Sequence, residues 1–484
     1  MRPVANAMVA HTLILWLVSV GLGAAEIWFP PDAEVIDVVI DVVRDLGIDN
    51  TGQSDVTEPL AKLYREAGRQ LQVIYFPKGT YLVSGMIQGK HDQSRKGSSH
   101  SHGPWLIGES RTETVIRLAD GTWPEDSFPA GTIDTQALPK RIDERAVLHT
   151  GDCTNTTFNQ VIRNLTVNTG RNNAGATGIV FIASNTGSLA EVDIVSEDGQ
   201  GSVGLALCGT ENGPAQVRDL RVRGFRRGMY AASHYFMTVS RVTIEDATEW
   251  GILNRGDLLL EDLRMTVAPG AGGLANCSRW ADLAALGLKI VGAAPQRGAI
   301  ENEGRVYLRE VRTEGFAQAL SNRPHRKLAD KTPPAPAGAS IDAYASQPAS
   351  ALFGEPGQAL DVPRVYPSYP SWDADPDHWD NPVRHKTPDG SWSDALRASL
   401  AATGKTHLVI PFGQKVSVRG AFTLGGDYRR VVGTLGQVVP EDDDTTLVIA
   451  DGSAPVVVLE GISCPTIVID TDRTVILDSV RPRR

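Results

Sequence analysis

Ile162-x-x-Leu165-x-Val167 opens a stretch in which one short apolar pattern recurs seven times. The copies that follow are Leu189-x-x-Val192-x-Ile194, Val217-x-x-Leu220-x-Val222, Val239-x-x-Val242-x-Ile244, Leu260-x-x-Leu263-x-Met265, Ala285-x-x-Leu288-x-Ile290 and a weaker Leu308-x-x-Val311-x-Thr313. Their middle anchors lie 21–28 residues apart. A Gly followed by an apolar residue recurs in phase, at Gly178, Gly204, Gly228, Gly251, Gly273 and Gly298. A repeat of this length marks a solenoid. Apolar residues at i and i+2 have strand period, and the Gly and Asn between copies leave no room for an amphipathic helix. The pattern predicts an all-β chain, a right-handed parallel β-helix, with Leu165, Val192, Leu220, Val242 and Leu263 in one vertical file inside it. Asn254, Asn276, Asn302 and Asn322 each fall two residues past an apolar anchor. Asn tolerates left-handed backbone, and its amide can bond the Asn above, so these four predict a ladder at one corner. The leucine-rich repeat shares the apolar core pattern but places Asn three residues after the last anchor. Here that place holds Gly170, Glu197, Phe225, Ala247 and Ala268, which disfavours it.

The 484 residues fit two or three ordinary domains or one long solenoid, and 48 Gly suit a turn-rich β chain. A net charge of −10 and a pI near 5.5 argue against a nucleic-acid partner. Arg2, an apolar run over 12–23 and the small residues Gly23, Ala24 and Ala25 read as a signal peptide cut after Ala25. The expected location is secreted or periplasmic, with no membrane span after cleavage, because the run is shorter than the ~20 residues a span needs. None of Cys153, Cys208, Cys277 and Cys464 forms a CxxC pair, so a zinc site is not expected, and these thiols read as mostly buried and structural. His91, His100 and His102 lie in a polar loop that reads as solvated rather than as a metal site.

Ahead of the repeats, 35–43 reads as a strand and 49–55 as a polar turn. A helix follows over 58–68, with Leu60, Leu63, Tyr64 and Ala67 on one face. Val73-Ile-Tyr-Phe-Pro-Lys-Gly-Thr-Tyr-Leu-Val83 then gives two strands about a Pro-Lys-Gly turn. This block resembles the N-terminal module of the pectate-lyase-like β-helix superfamily, as in rhamnogalacturonase and epimerase-like proteins and in glycoside hydrolase family 55. The resemblance covers roughly 35–322 and implies a β-helix that meets a polysaccharide. It recurs further on. Residues 389–402 mirror 49–68, 407–420 mirror 73–85, and 446–452 mirror 114–121. The expected organisation is a signal peptide (1–25), a parallel β-helix (26–322), a Pro/Ala-rich connector (323–382) and a short second β-helix module (383–484). Tandem helices are the family 55 layout, whose catalytic carboxylate comes from the second helix. The second module here reaches Arg484 after a few coils, and no residue is carried over as catalytic.

Candidate chemistry comes from the residues that flank the middle anchors, which a strand would point outward. The preceding column, from Asn164 through Glu191, Asp219, Arg241, Asp262 and Gly287 to Glu310, is largely acidic. The following column, from Thr166 through Asp193, Arg221, Thr243, Arg264 and Lys289 to Arg312, is largely basic. Such columns suit cross-coil ion pairs worth at most ~1 kcal/mol each. They also suit a polysaccharide groove, in which paired carboxylates serve glycoside hydrolysis and a Lys or Arg stabilises the carbanion of a lyase. The middle coils hold the candidate catalytic set of Asp193, Asp219, Arg221, Glu245, Asp246 and Arg264. In it Asp219 pairs with Glu245 or Asp246 as acid and base, and Arg221 or Arg264 stabilises charge. His234, Tyr235 and Trp250 on adjoining turns, with Trp372 and Trp379 from the connector, are the candidate substrate contacts. The connector rings read equally as anchors that pin it to the solenoid. A lyase would call for calcium. The leading reading is a glycoside hydrolase or polysaccharide lyase; the alternative is a non-catalytic glycan-binding or surface protein.

Overall fold

The computed structural model describes residues 26–27, 29, 39–67, 72–88, 101–102, 104–126, 142, 144–151, 157–184, 187–209, 212–324, 328, 332–347, 369–410, 415–433, 436–478 and 480–482. The predicted signal peptide, His91, His100 and Cys153 lie outside them.

The repeats stack as three parallel faces of a right-handed β-helix. On the first face ten rungs pair in register, from Val39 through Val73, Trp105, Val161, Ser188, Gln216, Thr238, Leu259 and Ala284 to Tyr307. The second face carries Thr166, Asp193, Arg221, Thr243, Arg264, Lys289 and Arg312 on successive rungs. The third carries Ile179, Leu205, Met229, Ile252, Leu274, Ile300 and Leu320. The five anchors Leu165, Val192, Leu220, Val242 and Leu263 are at most 2 % exposed and belong to one continuous core. The phased Gly sits where rungs crowd: a Cβ on Gly228 would lie 2.4 Å from Ile244 Cγ2 and 2.7 Å from the Gly251 carbonyl.

The column before the middle anchors departs from the expectation. Asn164, Glu191, Asp219, Arg241, Asp262 and Glu310 all have φ between 49° and 59°, and Gly287 has φ 70°. These residues form the corner where the first face turns into the second, so they do not flank a straight strand. The apolar pattern is one rung of each face joined by a left-handed residue. Most L-residues avoid that region, and it is held here by the rungs on either side.

At the opposite corner the Asn ladder forms. Asn254 Nδ2 donates to Asn276 Oδ1 (2.8 Å), Asn276 to Asn302 (2.7 Å) and Asn302 to Asn322 (2.7 Å). Asn322 ends the series on the Tyr344 hydroxyl (2.8 Å). Tyr344 lies in the strand Ser340–Ala345, which pairs antiparallel with Arg305–Asn322 at the upper end. In the first turn the helix Thr57–Ala67 takes the place of the third face, with Leu60, Leu63, Tyr64 and Ala67 buried.

A second stack repeats the plan. Trp379–Asp380, His407–Ile410, Arg430–Gly433, Val456–Glu460 and Thr474–Asp478 form one parallel sheet, and two shorter sheets complete its turns. Its helix, Trp392–Leu400, is capped by Ser391, whose hydroxyl accepts from the Asp394 amide (3.0 Å). The first strand of this stack falls within the stretch expected to be connector, as does Ser340–Ala345.

The stacks dock outer face to outer face. Val73, Tyr75 and Ile107 from the lower rungs of the first face meet Val409 and Val432 of the second stack. Ile27, Phe29, Trp372 and Trp379 fill the space between, with Phe29 edge-on to Tyr75 at 5.4 Å and to Trp372 at 5.3 Å.

Asn276→Ala removes the ladder bonds to Asn254 and Asn302 and the bond to the Arg305 carbonyl, leaving Asn254 Nδ2 on the Gly256 carbonyl and Asn302 Oδ1 on the Gly304 amide, and is expected to cost about 1–3 kcal/mol. Urea denaturation of the variant checks this; a loss under ~0.5 kcal/mol would show that the ladder does not order that corner.

Candidate functional site

Along the outer wall of the first face, side chains two apart line up rung over rung. The docked second stack covers the lower part of this wall. Its upper edge of contact is a charged seam. Arg163 Nε donates to Glu191 Oε2 (2.8 Å), and its NH1 lies 3.5 Å from Glu460 Oε2. Arg218 donates to Asp478 Oδ2 (2.8 Å) and lies 3.2 Å from Asp219 Oδ2. Arg241 grips both Asp219 oxygens at 2.6 Å, and Arg430 donates to Glu460 (2.6 Å). The Tyr369 hydroxyl donates to Asp478 (3.1 Å), and its ring lies 5.1 Å from the Arg218 guanidinium carbon.

Four guanidiniums thus meet four carboxylates, of which Arg218, Arg430, Glu191 and Glu460 are buried and the other four half-buried. Burial disfavours charge on Arg163, but Glu191, Glu460 and Asp478 more than reverse this and hold its pKa well above the ordinary value. Burial would likewise raise the Glu191 carboxyl, yet Arg163, Arg218 and Arg430 bring it down to about 2. A seam so balanced joins two modules; it offers a substrate no spare donor of charge.

Above the seam the described residues leave the wall open. The rung-starting positions there are Phe236, Asp257, Asp282 and Arg305. Asp257 pairs with Asp282 and Asp282 with Arg305, and Phe236 precedes the paired Met237 and Leu258. Leu258 points into the core, so its neighbour Asp257 points out. Arg305 holds Asp282 through both guanidinium nitrogens, NH2 to Oδ2 at 2.7 Å. Burial first, and then the like charge of Asp282, raises the Asp257 carboxyl above the usual range, with His234 opposing. Three exposed rings frame this pair: Tyr235 (46 %), Phe236 (59 %) and Trp280 (62 %). The Arg279 guanidinium stacks 4.6 Å over the Trp280 ring. Loops 232–236 and 277–281 both lead into the first face from the Asn-ladder corner, two turns apart, with the Asp257 rung between the rungs they enter. The geometry therefore sets two carboxyls on adjacent rungs, about 4.8 Å apart in backbone, beside apolar ring faces open to solvent.

The residues singled out from sequence are not gathered in this way. Asp193 is held by Arg111 at 2.6 and 2.8 Å. Asp219 belongs to the corner and the seam. Arg221 pairs with Glu245 at 2.7 Å, on the second face. Asp246 and Arg264 are exposed on that side, Asp246 in a left-handed turn of φ 58°. The acid–base pair of Asp219 with Glu245 or Asp246 is thus replaced by separate arginine pairs, because the two positions sit on different sides of a corner. Trp250 is buried under Arg297, whose guanidinium lies 4.3 Å above the ring. Trp372 and Trp379 are buried in the docking core, which leaves no ring face for a sugar. His234 and Tyr235 are exposed beside the Asp257–Asp282 pair. Phe236, Asp257, Trp280, Asp282 and Arg305 were missed. Three of them, Asp257, Asp282 and Arg305, each stand three residues before a first anchor, so a third aligned column would have shown them. Among the described residues no group of three or more His, Cys, Asp or Glu converges as metal ligands would, and no helix is long and apolar enough to cross a membrane.

Residues 40–265 match the family model described as rhamnogalacturonase A/epimerase, pectate lyase-like. Among solved structures, the catalytic unit of a GH87 α-1,3-glucanase from Streptomyces thermodiastaticus is 13 % identical, with 95 % of this chain and 70 % of that one covered and a TM-score of 0.42. The A-module of a mannuronan C-5 epimerase from Azotobacter vinelandii is 11 % identical, with 92 % and 99 % covered and a TM-score of 0.37. The search of curated proteins finds no match.

Arg163→Ala removes the cation hydrogen-bonded to Glu191 and leaves Glu460 with Arg430 alone, and is expected to cost about 3 kcal/mol in thermal or urea unfolding. The Glu191 carboxyl has a lower pKa folded than unfolded, so its contribution is complete above about pH 5 and is lost as pH falls toward about 2. Unfolding measured across that window should lose stability in the native chain and lose less in Glu191→Gln.

Proposed function

We propose that this chain, whose first β-helix belongs to the pectate-lyase-like parallel β-helix superfamily, acts on a polysaccharide at the open upper half of its first face. The observation that carries the reading is the Asp257–Asp282 pair between the exposed rings of Tyr235, Phe236 and Trp280. A pyranose has an apolar face of C–H groups, which stacks on an aromatic ring and orders the chain along the wall. Hydrolysis of a glycosidic bond needs one carboxyl that gives a proton and one that stays ionised, about 5 Å apart in retaining enzymes.

Asp257 suits the acid, since burial and its neighbour raise its pKa. Asp282 suits the nucleophile, with its charge countered by Arg305. In the first step Asp257 protonates the departing glycosidic oxygen while Asp282 attacks the anomeric carbon. In the second, Asp257 takes a proton from water, which displaces Asp282. The reading includes export, resting on the apolar run near the N-terminus.

A second reading, glycan binding without turnover, rests on the same rings. The alternatives separate in one set of assays on pectic, alginate and glucan polymers, scoring reducing ends and unsaturated uronate. Asp257→Asn is expected to lower reducing-end release about 10²–10⁴-fold with binding retained. Trp280→Ala with Phe236→Ala is expected to weaken binding at least tenfold with no change in melting temperature. Binding by the native chain without release of reducing ends or unsaturated products would leave only the second reading.

A further inference from the structure

The second stack has a cleft of its own. It is about 670 Å³ in volume, within the range of small-ligand sites, and opens where the connector crosses the turns that precede the first sheet of the second stack. Tyr369, His378, Thr406, Asp427, Arg429 and Ser453 line it. Asp373 organises its base. One oxygen, Oδ2, meets His378 Nδ1 (2.9 Å), the Thr406 hydroxyl (2.9 Å) and Arg429 NH2 (2.8 Å). Burial would raise this carboxyl, but the Asp375 amide, Thr406 and His378 hold it low. At the rim the Ser453 hydroxyl donates to Asp427 Oδ1 (2.7 Å). The Arg429 Nε is buried and makes no hydrogen bond. Pro370, Pro455 and Val456 supply apolar wall.

The charges in this cleft are matched. Arg429 faces Asp373, and Asp427 is bonded to a hydroxyl, so the lining offers interleaved donors and acceptors with little net charge. A polyanion gains little from such a surface, because each cation already has its carboxylate. A ligand whose groups both donate and accept, and which carries C–H faces for the prolines and Val456, suits it well.

We infer that this cleft is a second saccharide site, taking a short neutral oligosaccharide, separate from the open wall of the first face. It needs neither Asp257 nor the exposed rings, and it stands whether or not the first site is catalytic.

The test uses the full chain carrying Trp280→Ala and Phe236→Ala, so that the first face is disabled. Titration calorimetry follows hexamers of glucose linked β-1,3, β-1,4 or α-1,3, with hexagalacturonate as the charged probe. One neutral hexamer is expected to bind one to one. Adding His378→Ala or Asp427→Asn is expected to weaken it at least tenfold, and Asp427→Asn, at the rim, is expected to leave the melting temperature unchanged. Binding of hexagalacturonate alone, binding indifferent to both substitutions, or no binding of any hexamer would each overturn the assignment. If neutral binding persists here while the native chain shows none of the behaviour expected of Asp257 or Trp280, only the first-face reading fails.

Discussion

A single turn of this chain has no inside. Its apolar residues have nothing to pack on until the next turn lies above them, so burial and backbone pairing arrive together, rung by rung. Val192, Leu220, Val242, Leu263, Leu288 and Val311 are register partners in sequence, and the same pairing that joins the strands makes the core continuous. Slipping one rung by a residue would turn its core side chains outward and its charges inward. The register thus fixes which residues form each outer column, and every functional statement about the wall depends on it.

The docking of the second stack divides that wall. Lower down, the outward positions are apolar, and the partner sheet answers with Val409, Val432 and two tryptophans. Around Arg163 and Arg218 they become cationic, and the partner answers with Glu460 and Asp478. Above that, among the described residues, the wall meets water. The change up one face, from apolar to paired charge to open carboxyl, separates interface from site without any insertion or separate domain. It also accounts for the connector: Trp372 and Trp379 pack between the two sheets, and rings fill such a space with large area and few rotatable bonds.

The fold was plain in the sequence because its two signals repeat. Anchors at fixed offsets and Asn at one corner each state the same register several times, and an error in one copy is corrected by the others. The left-handed corner was not visible, because the residues there are mostly Glu, Asp and Arg rather than Gly or Asn, and strand period assigns them to a flank. That one misplacement moved the candidate chemistry from the first face to the corner and the second face. Tyr235 and His234 entered the candidate set because a polar turn with an aromatic is conspicuous. Trp280 was passed over because it follows the ladder Asn by only four residues and reads as part of the turn. Whether Trp379 would be covered depended on a contact between modules some three hundred residues apart in sequence from Tyr75, which no local pattern encodes.

The corner residues explain why so many charges surround the site and so few belong to it. A side chain at a left-handed bend splays away from the wall and toward the rung above or below, where an arginine can reach it. Asp219 and Arg241 meet in this way, while Glu191 reaches the outward Arg163 beside its corner. Such pairs use up the carboxylates at the corner and steady a strained backbone with hydrogen bonds. A carboxyl that starts a rung has no such obligation. Asp257 stacks on another acid, Asp282, and the mismatch raises its pKa. Among these outward residues it is the one whose environment opposes its charge, and a group held against its ordinary state is the kind that proton transfer requires.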